Sequence, residues 1–421
     1  MEAKIKKEYI AMLERELLPA MGCTEPIALA YAVAYARKLL GKEPEKVTVK
    51  CSGNIIKNTM AVTVPSTDGL RGIKAAALAG IYGGNADKEL EVLTDVTDDD
   101  RKKIREHLDD GMVKVEALDS THALHIIAEL RKGDEYAIVE VIDTHTNFGH
   151  IEVNGKILNE RKEEEQKNLL DHEVELTLKN IIDFANEVDL DDVREVLERQ
   201  ITYNSRISNE GLENNWGACV GKTLLACNDS LYTRMKAGAA AGSDARMNGC
   251  LLPVVINCGS GNQGITVSVP MIIYAKEKGY SHDELLRALC MANLTALHIK
   301  GGIGRLSAFC GALCAATAAA AGIAYMDKAG YEVIAQTIVN SLADVGGMVC
   351  DGAKSSCAAK IASSLDCSLM SYEMAKKNHG FRDGEGIVKA DVEETITSVG
   401  RMAREGMRST DREILSIMLE Q

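Results

Sequence analysis

The spacing of apolar residues changes along this chain, and that change limits the folds open to it. From residue 46 to 151 apolar residues recur at every second position in short runs, at 47–51, 61–64, 113–118, 125–130 and 136–142. That is the spacing of strands with one buried face. Stretches of helical spacing at about 70–82 and 99–108 interrupt these runs, so the segment reads as an α+β unit with a largely antiparallel sheet. Before it, Ile5, Tyr9, Met12, Leu13 and Leu17 mark one helix, stopped by Leu-Pro-Ala-Met-Gly at 18–22. A second helix is expected after Thr24 as N-cap, with Glu25 and Pro26 in its first turn. Beyond residue 172 nearly every segment is helical in spacing or rich in Ala and Gly, with no convincing strand. The fold expected is therefore α+β, in three parts: N-terminal helices over 1–44, an α+β domain over 45–160, and an all-α domain rich in Gly and Ala over 172–421. The charged stretch 159–171 is the linker candidate, an exposed helix face being its alternative.

Aromatic residues are only 4% of the 421, so the helices must pack through Ala, Gly and aliphatic side chains. A net charge of −14 repels polyanions, and no concentrated basic face offsets it, which argues against nucleic acid as a partner. The first residues are charged rather than apolar, which points to the cytoplasm. The most apolar run, 308–325, is barely long enough to span a bilayer and reads as a buried core helix, not a membrane segment.

Twelve cysteines in a reducing compartment do not form a disulfide framework, and most are expected as small apolar filler. Three stand apart because each lies beside glycine at an apparent helix end: Cys23 in Gly-Cys-Thr-Glu-Pro, Cys310 before Gly311, and Cys350 between Gly347 and Gly352. Glycine lets backbone approach a bulky inorganic group, and converging thiolates are what a cubane cluster needs. Three cysteines leave one iron open as a Lewis acid. No compact C-x-x-C run is present, so spacing alone is a weak signal.

Other groups suit a small anionic substrate. Gly259, Ser260, Gly261, Asn262 and Gln263 form a glycine turn ahead of a helix, able to offer N–H groups to a carboxylate. A plain helix–helix turn is the alternative, and the βαβ setting of a dinucleotide site is missing. Arg246, near Asp244, reads either as a carboxylate ligand or as a solvated charge. Lys300, Arg305 and Ser307 are expected on a second glycine turn just before Cys310. His145, in Asp-Thr-His-Thr-Asn, and Lys57, with Asn54 and Asn58, follow apparent strand ends from which either could abstract a Cα proton or bind a carboxylate.

Six segments together resemble one family: Gly-Cys-Thr-Glu-Pro at 22–26, Ser-Gly-Asn-Ile-Ile-Lys-Asn at 52–58, Asp-Thr-His-Thr-Asn at 143–147, Gly-Ser-Gly-Asn-Gln-Gly at 259–264, Lys-Gly-Gly-Ile-Gly-Arg-Leu-Ser at 300–307 and Gly-Met-Val-Cys-Asp-Gly-Ala-Lys at 347–354. In this order they are similar to the L-cysteine desulfidases, relatives of the α chain of bacterial iron-sulfur L-serine dehydratases. The resemblance implies a [4Fe-4S] cluster on Cys23, Cys310 and Cys350 with one iron free of cysteine, and Cys357 as a rival ligand; Cys314, one helical turn from Cys310, could substitute for it. It further implies elimination of sulfide from L-cysteine to give pyruvate and ammonia, without pyridoxal phosphate. L-serine dehydration and non-catalytic amino-acid binding are the alternative functions. A homo-oligomer is compatible with the sequence.

Overall fold

The fold, obtained as a computed structural model, is described for residues 2–160 and 176–420. It is α+β, as the spacing predicts. Helix α1 (Ala3–Glu16) buries Tyr9, Met12, Leu13 and Glu16 along one face. A short strand β1 (Pro19–Met21) follows where only a helix stop is expected, and then comes α2 (Thr24–Leu40), buried along most of its length. Strand β2 (Lys46–Cys51) leads into α3 (Gly53–Thr59), α4 (Gly72–Tyr82) and α5 (Asp98–Glu106). The meander β3 (Val113–Ala117), β4 (His125–Lys132), β5 (Glu135–Ile142), β6 (Phe148–Val153) and β7 (Lys156–Glu160) completes a sheet of order β3-β2-β4-β5-β6-β7.

Only β2 and β3 run parallel; the other neighbours are antiparallel. Ile126, Ala128 and Leu130 of β4 and Ala137, Val139 and Val141 of β5 are buried on one face, against which α2 packs. The expected strand at 61–64 is instead an isolated bridge between Thr63 and Arg71. Pro65 offers no donor to a ladder, and the left-handed backbone at Ser66, Asp68 and Gly69 turns the chain back. Of the linker candidate, Asn159 and Glu160 close β7, and 161–171 lie outside the described residues.

From α6 (Leu178–Glu187) onward the described chain is helical except for one strand. The helices are α7 (Arg194–Glu213), α8 (Val220–Cys227), α9 (Leu231–Met247), then β8 (Pro253–Val255), α10 (Gly261–Lys278), α11 (His282–Ile303), α12 (Gly311–Met326), α13 (Tyr331–Asp344), α14 (Cys357–Lys376), α15 (Val392–Arg401) and α16 (Arg408–Leu419). Strand β8 overturns the expectation of an all-helical segment; it pairs antiparallel with β1, Val255 lying opposite Pro19, 236 positions earlier. Helix α12 is the apolar run noted above, buried nearly throughout, and among the described residues no helix is long and apolar enough to cross a membrane. Small residues set the helix spacing: a Cβ on Gly211 of α7 would lie 2.0 Å from the Ala241 carbonyl oxygen of α9. One continuous apolar core holds Leu13, Val49, Val255 and Leu365 together, so both halves of the chain share it.

Candidate active site

Four thiols reach one cavity of about 100 Å³: Cys23, Cys310, Cys350 and Cys357. Cys23 is the residue that caps α2, with Thr24 as the first helical position rather than the cap. Cys310 caps α12, and Cys357 is the first residue of α14. Cys350 is held beside Cys310 by a bridge between Phe309 and Val349, in which the Cys310 N–H donates to the Met348 carbonyl at 3.0 Å. Helix N-termini favour thiolates, so three of the four thiols begin in a field that suits metal ligation.

The thiols do not form one equivalent set. Burial pushes Cys310 up to about 12, with the nearby Cys350 and Cys357 adding to the shift. Cys357 is raised for the same reasons, burial first and Cys350 contributing. Cys23 is raised well above the usual thiol range by burial and then by Glu25, with Arg246 opposing, and the cluster it forms with Val62 and Met247 packs against Cys357. Cys310, Cys350 and Cys357 thus share a field, and Cys23 answers to Glu25. Cys314 sits one turn further along α12, fully buried, with Lys300 and Cys258 as its charged neighbours instead of the cavity thiols.

Among the described residues no three His, Cys, Asp or Glu side chains converge closely enough to hold a single metal ion. Each thiolate of a cubane bonds a different iron, so thiols spread around a cavity suit a cluster rather than a lone ion. The charges around the cavity fit an anionic guest. Arg246 is 2% exposed, donates from Nη1 to Asn262 Oδ1 at 3.1 Å, and has no ion-pair partner among the described residues; its Nε lacks any hydrogen-bond partner. Asp244 does not pair with it. That carboxylate caps α8, accepting the Gly221 N–H at 3.1 Å, and burial pushes it up to about 6.

Lys300 is also 2% exposed and has no carboxylate partner among the described residues. It lies in the last turn of α11 and not on a glycine turn, because Gly301 and Gly302 continue the helix where it meets the backbone of Gly400 in α15. Burying unpaired charge costs several kcal/mol, so two such cations on one cavity wall mark a place for anions. Arg305 is compensated differently, in a two-pronged pair with Glu16 of α1 that includes Nη1 to Oε2 at 3.1 Å.

The glycine turn forms the N-terminus of α10. Ser260 caps it, accepting the Gln263 N–H at 3.5 Å, and Gly259 takes φ +74°. Gly261 lets Arg246 come close: a Cβ there would lie 2.3 Å from Arg246 Nε. Gln263 Oε1 is buried without a partner.

His145 stands behind this turn, its ring against Gly259, and does not line the thiol cavity. Burial lowers it to about 4, with Arg305 and Arg246 reinforcing and Glu25 opposing, so it is a neutral base whose Nε2 has no partner. Lys57 also falls outside this cavity. It is 1% exposed, is paired with Asp411 of α16, and lines a larger cavity of about 580 Å³. Arg305 and Ser307 line both cavities, with Ser307 Oγ donating to the Phe309 carbonyl at 3.2 Å.

One cavity residue, Glu25, is not singled out by the sequence as a site residue. Glu25 accepts Cys23 Sγ at 3.0 Å on Oε2 and Asn58 Nδ2 at 3.0 Å on Oε1. Read alone, Glu25 is an ordinary first-turn acid of α2; its neighbour Cys23 was the available signal.

A family model described as the serine dehydratase alpha chain matches residues 87–416. Among curated relatives, a UPF0597 protein of Lachnoclostridium phytofermentans is 50% identical over 415 residues, covering 98% of this chain and 99% of that protein. A UPF0597 protein of Finegoldia magna is 48% identical over 415 residues, covering 98% and 100%. One from Treponema denticola is 45% identical over 422 residues, covering 98% of each.

Proposed function

We propose, from the premise that this chain belongs to the serine dehydratase alpha chain family, that it is an iron-sulfur lyase that eliminates the β-substituent of a small L-amino acid, with L-cysteine as substrate and sulfide as leaving group. The observation that carries this reading is the convergence of four thiols and two buried, unpaired cations on one small cavity. Cys310, Cys350 and Cys357 would hold the cluster, because all three line the one cavity while Cys23, which lines it too, is engaged as a donor to Glu25. Cys23, a ligand candidate by sequence, is then left as a free thiol on the cavity wall. When bound, the [4Fe-4S] cluster supplies a Lewis-acidic iron for the departing sulfur.

The protein's own groups do the rest. Arg246 and Lys300 bind and orient the substrate carboxylate beside the N-terminus of α10. Neutral His145, whose Nε2 has no partner, is the acceptor of the Cα proton and would have to reach past the Gly259 turn; Cys23, a protonated thiol donating to Glu25, cannot accept it. Loss of that proton and of sulfide gives aminoacrylate, which tautomerises to an imine; water then releases pyruvate and ammonia. Twelve free thiols suit a reducing cytoplasm.

The family description favours a second reading, L-serine dehydration in the same site. Anaerobic reconstitution with iron and sulfide, followed by sulfide and pyruvate assays on L-cysteine and L-serine, separates the two. A brown protein that releases sulfide, with colour and turnover lost in Cys310→Ala and Cys357→Ser and kept in Cys314→Ser, is the expected result. A wild type that holds no cluster after reconstitution refutes the lyase reading.

A further inference from the structure

Glu25 is the one acidic side chain among the described residues that lines the thiol cavity, which Arg246, Lys300 and Arg305 also line. It is 8% exposed and has no ion-pair partner among the described residues. Its known donors are Cys23 Sγ at 3.0 Å and Asn58 Nδ2 at 3.0 Å, with Thr24 Oγ1 at 3.2 Å. The Thr24 hydroxyl has one proton and lies closer to the Gly259 carbonyl, at 2.9 Å. At most three of the roughly four acceptor sites of a carboxylate are therefore taken.

The cavity lining thus holds one carboxyl group without an ion-pair partner among the described residues together with two such cations, Arg246 and Lys300. An α-amino acid zwitterion carries the matching pair, an ammonium and a carboxylate on one carbon. We infer that Glu25 is a specificity-determining residue that receives the α-ammonium of the substrate, so that the site selects α-amino acids over carboxylic acids of the same size. The inference rests on the lyase reading for its substrate class. Recognition itself needs neither the leaving group nor turnover. Glu25 supplies the charge, and Asn58 and Thr24 hold the carboxylate in place without neutralising it.

The test compares binding of L-alanine and propionate to the reconstituted full chain by calorimetry. Both ligands carry the carboxylate, only one carries the ammonium, and neither can be eliminated. The wild type is expected to prefer L-alanine, and E25Q to lose about 10- to 100-fold of that preference, the value of a buried charged hydrogen bond, with propionate affinity unchanged. Equal weakening of both ligands by E25Q would make Glu25 merely structural and overturn the inference. A wild-type ratio near one overturns it without any variant, which keeps the test decisive if E25Q does not fold. A wild type that prefers L-alanine yet eliminates nothing from L-cysteine or L-serine would refute the lyase reading alone.

Discussion

At His145, burial and two guanidinium groups keep the ring neutral, and that has a consequence for acid stability. The folded group titrates at about 4 against an ordinary value of 6.5. Between those values the unfolded chain binds the proton and the folded chain does not, so stability is full above about pH 6.5 and falls as pH drops toward 4. The group accounts for about 3 kcal/mol of that loss. His145→Asn should flatten the acid side of a denaturant-midpoint profile, and an unchanged profile would show that the ring is not buried as described. Gly261 makes a different prediction. Ala there would press on Arg246 and Val254, and overpacking of this kind costs about 1–3 kcal/mol of stability, so Gly261→Ala should lower the melting temperature and, by displacing Arg246, raise KM. Initial-rate kinetics checks this. Cysteines beside glycine at helix starts were legible from sequence. That Cys357 shares the field of Cys310 and Cys350 was not, since it depends on how α14 packs against α12.

Among the elements, α16 is the least integrated, with no buried residues, and it still supplies Asp411 to the buried ammonium of Lys57. Asp411→Asn would strand that charge. Because Asp411 is 22% exposed, the expected loss is about 2–3 kcal/mol, at or below the range for a fully buried pair. Adding Lys57→Met should restore most of it. Chemical denaturation of both variants measures the difference, and a single variant as stable as wild type would contradict it. Helices such as α2 and α12 were readable because their buried faces span several turns. Strands β1 and β8, three residues each, are too short to display a period of two and owe their existence to one another. The 61–64 segment shows the converse error: alternation without a partner is not a strand, and the proline after it removes a donor.

At the scale of the molecule, the expected α+β organisation was visible because spacing changes with element type. The continuity of the core was not, since it arises from contacts between distant segments. Leu13 and Leu17 near the N-terminus belong to the same apolar cluster as Val255 and Leu365, and β1 is tied to β8. A fragment comprising residues 176–421 should therefore show no cooperative unfolding by circular dichroism, because it exposes the faces that α1 and β1 cover. A sharp transition would establish that this part folds by itself.

The cavity draws its thiols from positions 23, 310, 350 and 357 of a 421-residue chain. A ribosome must therefore finish most of the polypeptide before these groups can meet, and a nascent chain halted ahead of residue 310 carries only the first of them. On the iron-sulfur reading proposed above, iron delivery would therefore be a maturation event that follows synthesis past residue 350, with the protons on the thiols leaving as the iron arrives.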